Sequence, residues 1–541
     1  MSDESEIRKE NMISQIMNSP QPLPRRVPDY MRKKGGIWYW TGAMVMFAFF
    51  YEVITGLVLL FFYQPSNPFG SSEALVYNVP FGSIMLSTHL YGAYVMIALV
   101  YIHLLRNYFV GAYKKPREMQ WITGVLLLVL TLGAAFFGYT MDGDVLAKAA
   151  TSIGSTIAAG TPYIGNAVNA IFFGNGTALS LYSRLLGWHI VMVLLIGVLF
   201  AVHFFMAEYN TIMPRGKDVN YRAPAVDTDK PEYKPWYPHN LAFMMELFFI
   251  VVAAIVLIPS VFALWPSIPV VFSPFPASPT VIANTPPWFL LFVYKELDFN
   301  FASTLLNPFW DTVLFVGAPL LYLLIIPYLD RSSSLMLSDR WIFVALGVTG
   351  VVYLVGLSTW AFVYGVLQPT MIVPNYQVAI FFFVPAVLIF LFTYLVRNSI
   401  HLNKLKLKRP EVLFTIVGLM GFFSVVSGIL IYESYVLHDA YALPGMAAML
   451  TITAILAVIS VAIILGIFNP GYSGDTVLAT PKTRIIAASI FGALSLFIAI
   501  EVSFIKPDSP TNNAYYGIGL AMILLAVAGI IRIYRGESLG E

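Results

Sequence analysis

Twelve apolar runs, each long enough to cross a bilayer, leave this chain almost no choice of architecture. They lie near 37–63, 84–109, 121–139, 184–206, 241–264, 304–328, 341–364, 375–397, 411–432, 444–468, 485–504 and 514–533. A spanning helix needs about 20 such residues. Within hydrocarbon every backbone N–H and C=O must be satisfied inside the segment, so each run has to be helical. Composition agrees: of 541 residues 58% are hydrophobic and only 11% charged, with a mean hydropathy of +0.75. Soluble domains carry about 25% charged residues. A soluble enzyme, a disordered chain and a nucleic-acid binder are thereby excluded, and a net charge of +2 is too small to imply a polyanionic partner.

The basic residues set the expected topology. With the N-terminus inside, 27 of the 31 Lys and Arg residues fall in inner segments, leaving only Lys148, Arg184, Lys295 and Lys506 outside. Both termini are therefore expected to be cytoplasmic, in a multi-pass protein of the cell membrane. Nothing resembling a cleaved signal precedes the first span. Two outer connections are long: Met141 to about Ser183, and Trp265 to about Ala302, the latter rich in proline. Residues 1–35 form a polar inner segment, and 211–240 a linker between subdomains.

Four of the seven histidines lie inside spans. His89 and His103 are fourteen residues apart in the second span, and His189 and His203 fourteen apart in the fourth. Fourteen residues are close to four helical turns, so each pair shares one face with about 21 Å between its members. The two spans run in the same direction, which levels His89 with His189 and His103 with His203. Ionisable groups at membrane depth are costly and usually functional. Two histidines facing each other can ligate both axial positions of a heme iron, and two such pairs would seat two hemes at different depths. A site of two histidines without a carboxylate suits zinc poorly. Glycines repeat the spacing: Gly42 and Gly56 in the first span, Gly124 and Gly138 in the third. A residue without Cβ admits close approach of another body, although small residues also serve ordinary helix packing. Arg106 and Arg184 are placed to neutralise heme propionates, or in the case of Arg106 to anchor the inner surface. Cysteine is absent, so the chain holds no iron–sulfur cluster of its own.

These motifs resemble cytochrome b of the quinol-oxidising cytochrome bc complexes. The stretches that carry the resemblance are Gly42…Gly56, His89-x13-His103 followed by Arg106, Trp121-Ile-Thr-Gly124…Phe137-Gly138-Tyr139, Arg184-x4-His189-x13-His203, Pro235-Trp-Tyr-Pro-His-Asn240 and Pro327-Tyr-Leu-Asp-Arg-Ser332. It covers residues 36–400; the absence of cysteine and the added spans at 401–541 look like the archaeal subunits of thermoacidophile terminal-oxidase supercomplexes. The resemblance implies an all-α integral membrane protein: a diheme-binding half at 36–210, a second half at 241–400 carrying an outer quinol-site loop, and a four-helix extension at 401–541. It further implies two hemes, b-type or modified a-type, a quinone, a Rieske-type iron–sulfur partner and further respiratory subunits such as a terminal oxidase. The family's Pro-Glu-Trp-Tyr quinol motif reads Pro286-Pro287-Trp288-Phe289 here, and a family histidine at the inner quinone site maps to Glu208.

With Pro287 and Phe289 in that motif, no residue of it can accept a proton. The expected bases are Glu52 in the first span, Asp142 and Asp144 after the third, and Glu296 after the quinol loop. The competing readings are a twelve-helix secondary carrier with a histidine proton relay and a heme-bearing anchor for another oxidoreductase. The last four spans carry no paired histidine and are expected to dock other subunits.

Overall fold

The computed structural model describes residues 27–28, 36–174, 176–210, 233–234, 240–265, 272–277, 286–332, 334–364, 372–401 and 481–538. Their architecture is helical, as the apolar runs require. α1 (Thr41–Leu59), α3 (Gly82–Val110), α4 (Glu118–Met141) and α7 (Ala178–Asn210) form a bundle in which α1 packs on α3 and α4 on α7. Between α1 and α3 lies the short α2 (Pro68–Asn78); between α4 and α7 lie α5 (Val145–Ala159) and α6 (Gly165–Phe173). α8 (Leu241–Ala263) closes the bundle against α1 and α3, and Ala48, Met96, Ala134, Ile196, Val251 and Ile255 meet in the shared core. α7 turns Leu194, Leu195, Val198 and Val202 outward, an apolar face suited to lipid.

The second half follows with α9 (Leu291–Glu296), α10 (Asn300–Leu305), α11 (Pro308–Thr312), α12 (Ala318–Leu329), α13 (Trp341–Tyr364) and α14 (Asn375–His401). α11 and α12 are joined by a π turn at Val313–Gly317, so Pro308–Leu329 is one span. Nine helices among the described residues are long and apolar enough to cross a membrane. The eleventh run forms α15 (Pro481–Ser503), in which the apolar stretch shortens to Ala488–Ser503, and the twelfth forms α16 (Pro510–Ser538). The expected spans 411–432 and 444–468 lie outside the described residues, as do most of the 1–35 segment and the 211–240 linker; from these, Val27–Pro28 pairs antiparallel with Tyr233–Lys234.

The first long connection differs from a simple loop. Asp144 caps α5, its Oδ1 accepting from the Ala147 N–H at 2.7 Å, and this cap starts a helix that the hydropathy pattern alone does not mark. α16 also goes beyond a surface for other subunits. It lies along α8, with Ala521 against Ala253 and Val256. A Cβ on Gly517 would fall 2.1 Å from Ser260 Oγ, so glycine permits this approach. Asn513 Nδ2 donates to Ser83 Oγ at 2.6 Å, and the Tyr516 ring packs on Phe81.

A buried polar network joins the two halves at the end of the bundle beyond His103. α3 ends on Gly111, whose φ of +75° only glycine adopts easily, and its N–H returns to the Asn107 and Tyr108 carbonyls. Just beyond, Lys114 Nζ donates to Asp330 Oδ1 and to the Ser332 carbonyl, both at 2.8 Å. Tyr113 donates to Asp330 Oδ2 at 2.6 Å, and Arg340 donates to Tyr113 Oη at 2.8 Å. Asp330 and Ser332 belong to the Pro327–Ser332 motif, which thus acts as an anchor. Removing one partner of a buried pair costs roughly 3–5 kcal/mol. Asp330→Ala is expected to lower stability by about that amount, read as a lower midpoint temperature for loss of the native absorption spectrum, whereas Asp508→Ala, at an exposed hydrogen bond, leaves the midpoint in place.

Candidate cofactor site

The two histidine pairs form as their spacing requires. His89 and His189 face each other with ring centroids 6.4 Å apart, and His103 and His203 likewise at 6.4 Å, with interplanar angles of 79° and 75°. A histidine–metal bond of about 2.0–2.1 Å on each side of one ion, plus about 1.1 Å from nitrogen to ring centroid, gives a separation of about 6.3 Å. Each pair is therefore spaced for one metal ion between two rings.

Each ring is held from behind at Nδ1. Thr41 Oγ1 lies 2.9 Å from His103 Nδ1, Thr55 Oγ1 2.9 Å from His89 Nδ1, and Thr123 Oγ1 3.1 Å from His203 Nδ1. The Ala134 carbonyl, 2.8 Å away, does the same for His189. Nε2 of each ring faces the partner side as the atom to serve as ligand, and such outer partners fix ring orientation. Sequence reasoning missed these threonines, although each immediately precedes a spaced glycine: Thr41-Gly42, Thr55-Gly56 and Thr123-Gly124. At Phe137-Gly138 the hydroxyl is missing, and there a carbonyl takes over. The glycines touch the rings themselves: a Cβ would come within 3.1 Å of Cε1 of His103 at Gly42, of His89 at Gly56 and of His203 at Gly124, and within 2.9 Å of His189 Cε1 at Gly138. Close approach to the ligand rings, rather than general helix packing, explains the fourteen-residue glycine repeat.

A cavity of about 340 Å³ opens between the first pair, lined by His89, His189, Gly56, Gly138, Glu52 and Asp142 among others. A planar macrocycle gripped by two imidazoles fits this apolar slot and the glycine clearance. At the second pair, Asn107 Nδ2 stands 3.1 Å from His103 Nε2, so this side chain must leave that nitrogen before an iron can take it. Arg106 donates to Asn107 Oδ1 at 2.7 Å and stacks 4.8 Å from the centre of the Tyr39 ring. Arg184 is held by the Ser180 carbonyl and hydroxyl. Glu208 lies five residues past His203, at the end of α7.

Of the expected quinol-loop residues, Phe289 reaches the first cavity, and Trp288 packs behind it. Phe289 is buried and lines it beside Tyr139, with Tyr94 5.9 Å from the Phe289 ring and 6.2 Å from that of Trp288. Pro286 and Pro287 lead into this turn. The four acids separate into distinct environments. Asp144 spends both oxygens on backbone, on Ala147 N–H and on Ala277 N–H at 2.8 Å, which ties the 272–277 segment to the cavity. Asp142 is half-buried on the cavity wall beside Ser72; burial first, and then the Asp144 charge, push its carboxyl up to about 7. Glu52 turns to the ligands: its Oε2 is 3.1 Å from His89 Nδ1, while Oε1 has no hydrogen-bond partner and fills the recess at Gly92. Glu296 lies away from this cavity and is fully buried.

Fold and site define an all-helical integral membrane protein with two pairs of facing histidines, each spaced to admit a metal ion between its rings. The family model described as "Cytochrome b(N-terminal)/b6/petB" matches residues 94–274. Cytochrome b of Sulfolobus acidocaldarius is 35% identical across 95% of this chain and 94% of its own length. The menaquinol:cytochrome c reductase cytochrome b subunit of Bacillus subtilis is 36% identical over 32% of this chain and 80% of its own. A solved chain titled "Hyperthermophilic respiratory Complex III" aligns with a TM-score of 0.48 and 23% identity, over 74% of this chain and 98% of that one. The chain belongs to the cytochrome b family, a family of heme proteins.

The glycine contacts give a direct test. Gly138→Val is expected to push His189 out of line and to lower heme per protein, measured as pyridine hemochrome. Gly197→Val, where nothing lies within 4 Å, is expected to leave heme content unchanged.

Proposed function

We infer that this chain carries two hemes and oxidises quinol at the end of the bundle that holds His89 and His189. His89 with His189 hold one heme and His103 with His203 the other; both are b-type or modified a-type. The observation that carries this reading is the repeated 6.4 Å ring separation at two depths, each ring backed at Nδ1 and cleared by a glycine. Bound there, the hemes supply one-electron transfer between the two faces of the membrane. Arg106 and Arg184 are the basic residues this reading assigns to their acidic groups. The His89 end is the outer face of the cell membrane, with both termini cytoplasmic, as the distribution of basic residues favours. Proton release there couples quinol oxidation to proton translocation.

Trp288, Phe289, Tyr94 and Tyr139 supply an apolar, aromatic seat for a quinone ring against the cavity. Each quinol gives up two electrons and two protons. One electron goes to the membrane heme; because the chain has no cysteine, the other leaves on a Rieske-type iron–sulfur partner. A terminal oxidase or related respiratory subunits complete the complex. Asp142 is the base best placed on the cavity wall, since Asp144 has both oxygens committed to backbone and Glu52 is turned to His89. At the opposite face, Glu208 stands where the family's inner quinone site has a histidine.

Spectra test the heme assignment. Replacing His103 by Ala is expected to remove the heme signal of one site and spare the other in reduced-minus-oxidised spectra; a variant retaining both signals overturns it. The base assignment has a signed pH dependence. Asp142 accepts a proton only when ionised, so heme reduction by quinol is expected to rise with pH through about 7 and then level off. Asp142→Asn is expected to remove that limb and to slow reduction by about 10²-fold.

A further inference from the structure

Glu296 and Asp311 are 0% and 1% exposed, and none of their four carboxylate oxygens has a hydrogen-bond partner among the described residues. They sit on different elements, Glu296 at the end of α9 and Asp311 in α11, close enough for the Asp311 charge to act on Glu296. Among the described residues no cation neutralises them through a hydrogen bond: the neighbouring Lys295 Nζ goes to Asp298 Oδ2 at 2.9 Å and lies 5.4 Å from the Trp360 ring centre. The other elements packed around the pair bring little charge. α5 presents Thr156, with Lys148 at its far end, and on α13 the Tyr353 hydroxyl is taken by the Phe382 carbonyl. Two carboxylates without donors in a low-dielectric interior cannot both stay ionised, so the pair titrates as a unit.

Asp311 opens on a second cavity of about 300 Å³, whose lining also includes Thr156, Leu297 and Ala302. This cavity neighbours the quinone seat. Ile153 lines it and also packs in the cluster that contains Trp288, Tyr139 and Tyr294, and Tyr294 is two residues before Glu296. Asn307 Nδ2 donates to the Gly160 carbonyl at 3.1 Å, holding the start of α11 against the end of α5 beside the opening.

We propose that Glu296 and Asp311 form a proton-holding pair that takes one of the two protons of each quinol and releases it through the second cavity. The pair supplies a carboxylate close to the quinol loop, where Pro287 stands in place of an acid. In this step a quinol O–H bond breaks and a carboxylate O–H bond forms; the electrons leave to the heme and to the iron–sulfur partner. The inference rests on the quinol-oxidising reading above.

The test uses the purified respiratory complex with Glu296→Gln, Asp311→Asn and Glu296→Asp, each checked for unchanged heme spectra. Infrared difference spectra on adding a short-chain quinol are expected to show a carbonyl-stretch change of a protonated carboxylic acid. Glu296→Gln is expected to abolish that band and to slow heme reduction by about 10²-fold; Asp311→Asn should shift the band, and Glu296→Asp should restore most of the rate. Parental band and rate in both amide variants overturn the proposal, and an unchanged Asp311→Asn alone overturns the pairing. A heme-loaded parent that does not oxidise quinol overturns the functional reading instead. An infrared pH titration of parent against Glu296→Gln then still decides whether the pair holds a proton.

Discussion

The contact between four imidazoles and four glycines sets the geometry of the whole first half. Each ring stands against a backbone with no Cβ, and a methyl group there would come within 3.1 Å or less of the ring. α1 and α4 must therefore lie against α3 and α7 at a fixed depth, since sliding either helix by one residue would replace glycine with a side chain. Threonine hydroxyls then fix the rotation of three rings from behind. Spacing and ring orientation thus come from one set of helix contacts, and the cavity between the first pair is their consequence.

Polar groups in this protein are concentrated at the two ends of the bundle. At the His103 end, Lys114, Tyr113, Asp330 and Arg340 join the two halves in one hydrogen-bonded network, in which only Arg340 Nε lacks a partner among the described residues. Such a network is costly to break, and both oxygens of its carboxylate are committed to it. At the His89 end the acids divide. Asp144 is spent on a helix cap and a loop tie, so it shapes the cavity wall, whereas Asp142 keeps an ionisable group on that wall. Glu296 and Asp311 are buried without donors. In a low-dielectric setting that difference in hydrogen bonding separates a structural carboxylate from one suited to carrying protons.

α16 adds a further constraint. It lies along α8 and reaches the start of α3, where the Phe81 N–H donates to the Pro507 carbonyl and Phe81 takes a left-handed φ of 61°. The C-terminal helix is thus part of the packing of the first half. In sequence it is simply another apolar run, and nothing in that pattern states which helix it covers.

The sequence by itself determined the helical membrane architecture, because a backbone in hydrocarbon has no other way to satisfy its polar groups. It also determined which histidines pair, because fourteen residues return to the same helix face. The same periodicity made the glycines legible; the threonines that precede three of them were not, because only their contact with Nδ1 gives them meaning. Tertiary structure alone decided the roles of the acids. Asp142 and Asp144 are two residues apart in equally polar sequence, and only the backbone donors at Ala147 and Ala277 distinguish them. Glu52 lies one turn from Gly56, yet its contact with His89 depends on the recess left by Gly92 on another helix. Asp311 carries no signal in its own span; its burial beside Glu296 arises from the packing of α11 near α9. Periodicity fixes what lies along one helix, whereas the charge state and partners of a buried acid depend on donors brought in from other elements.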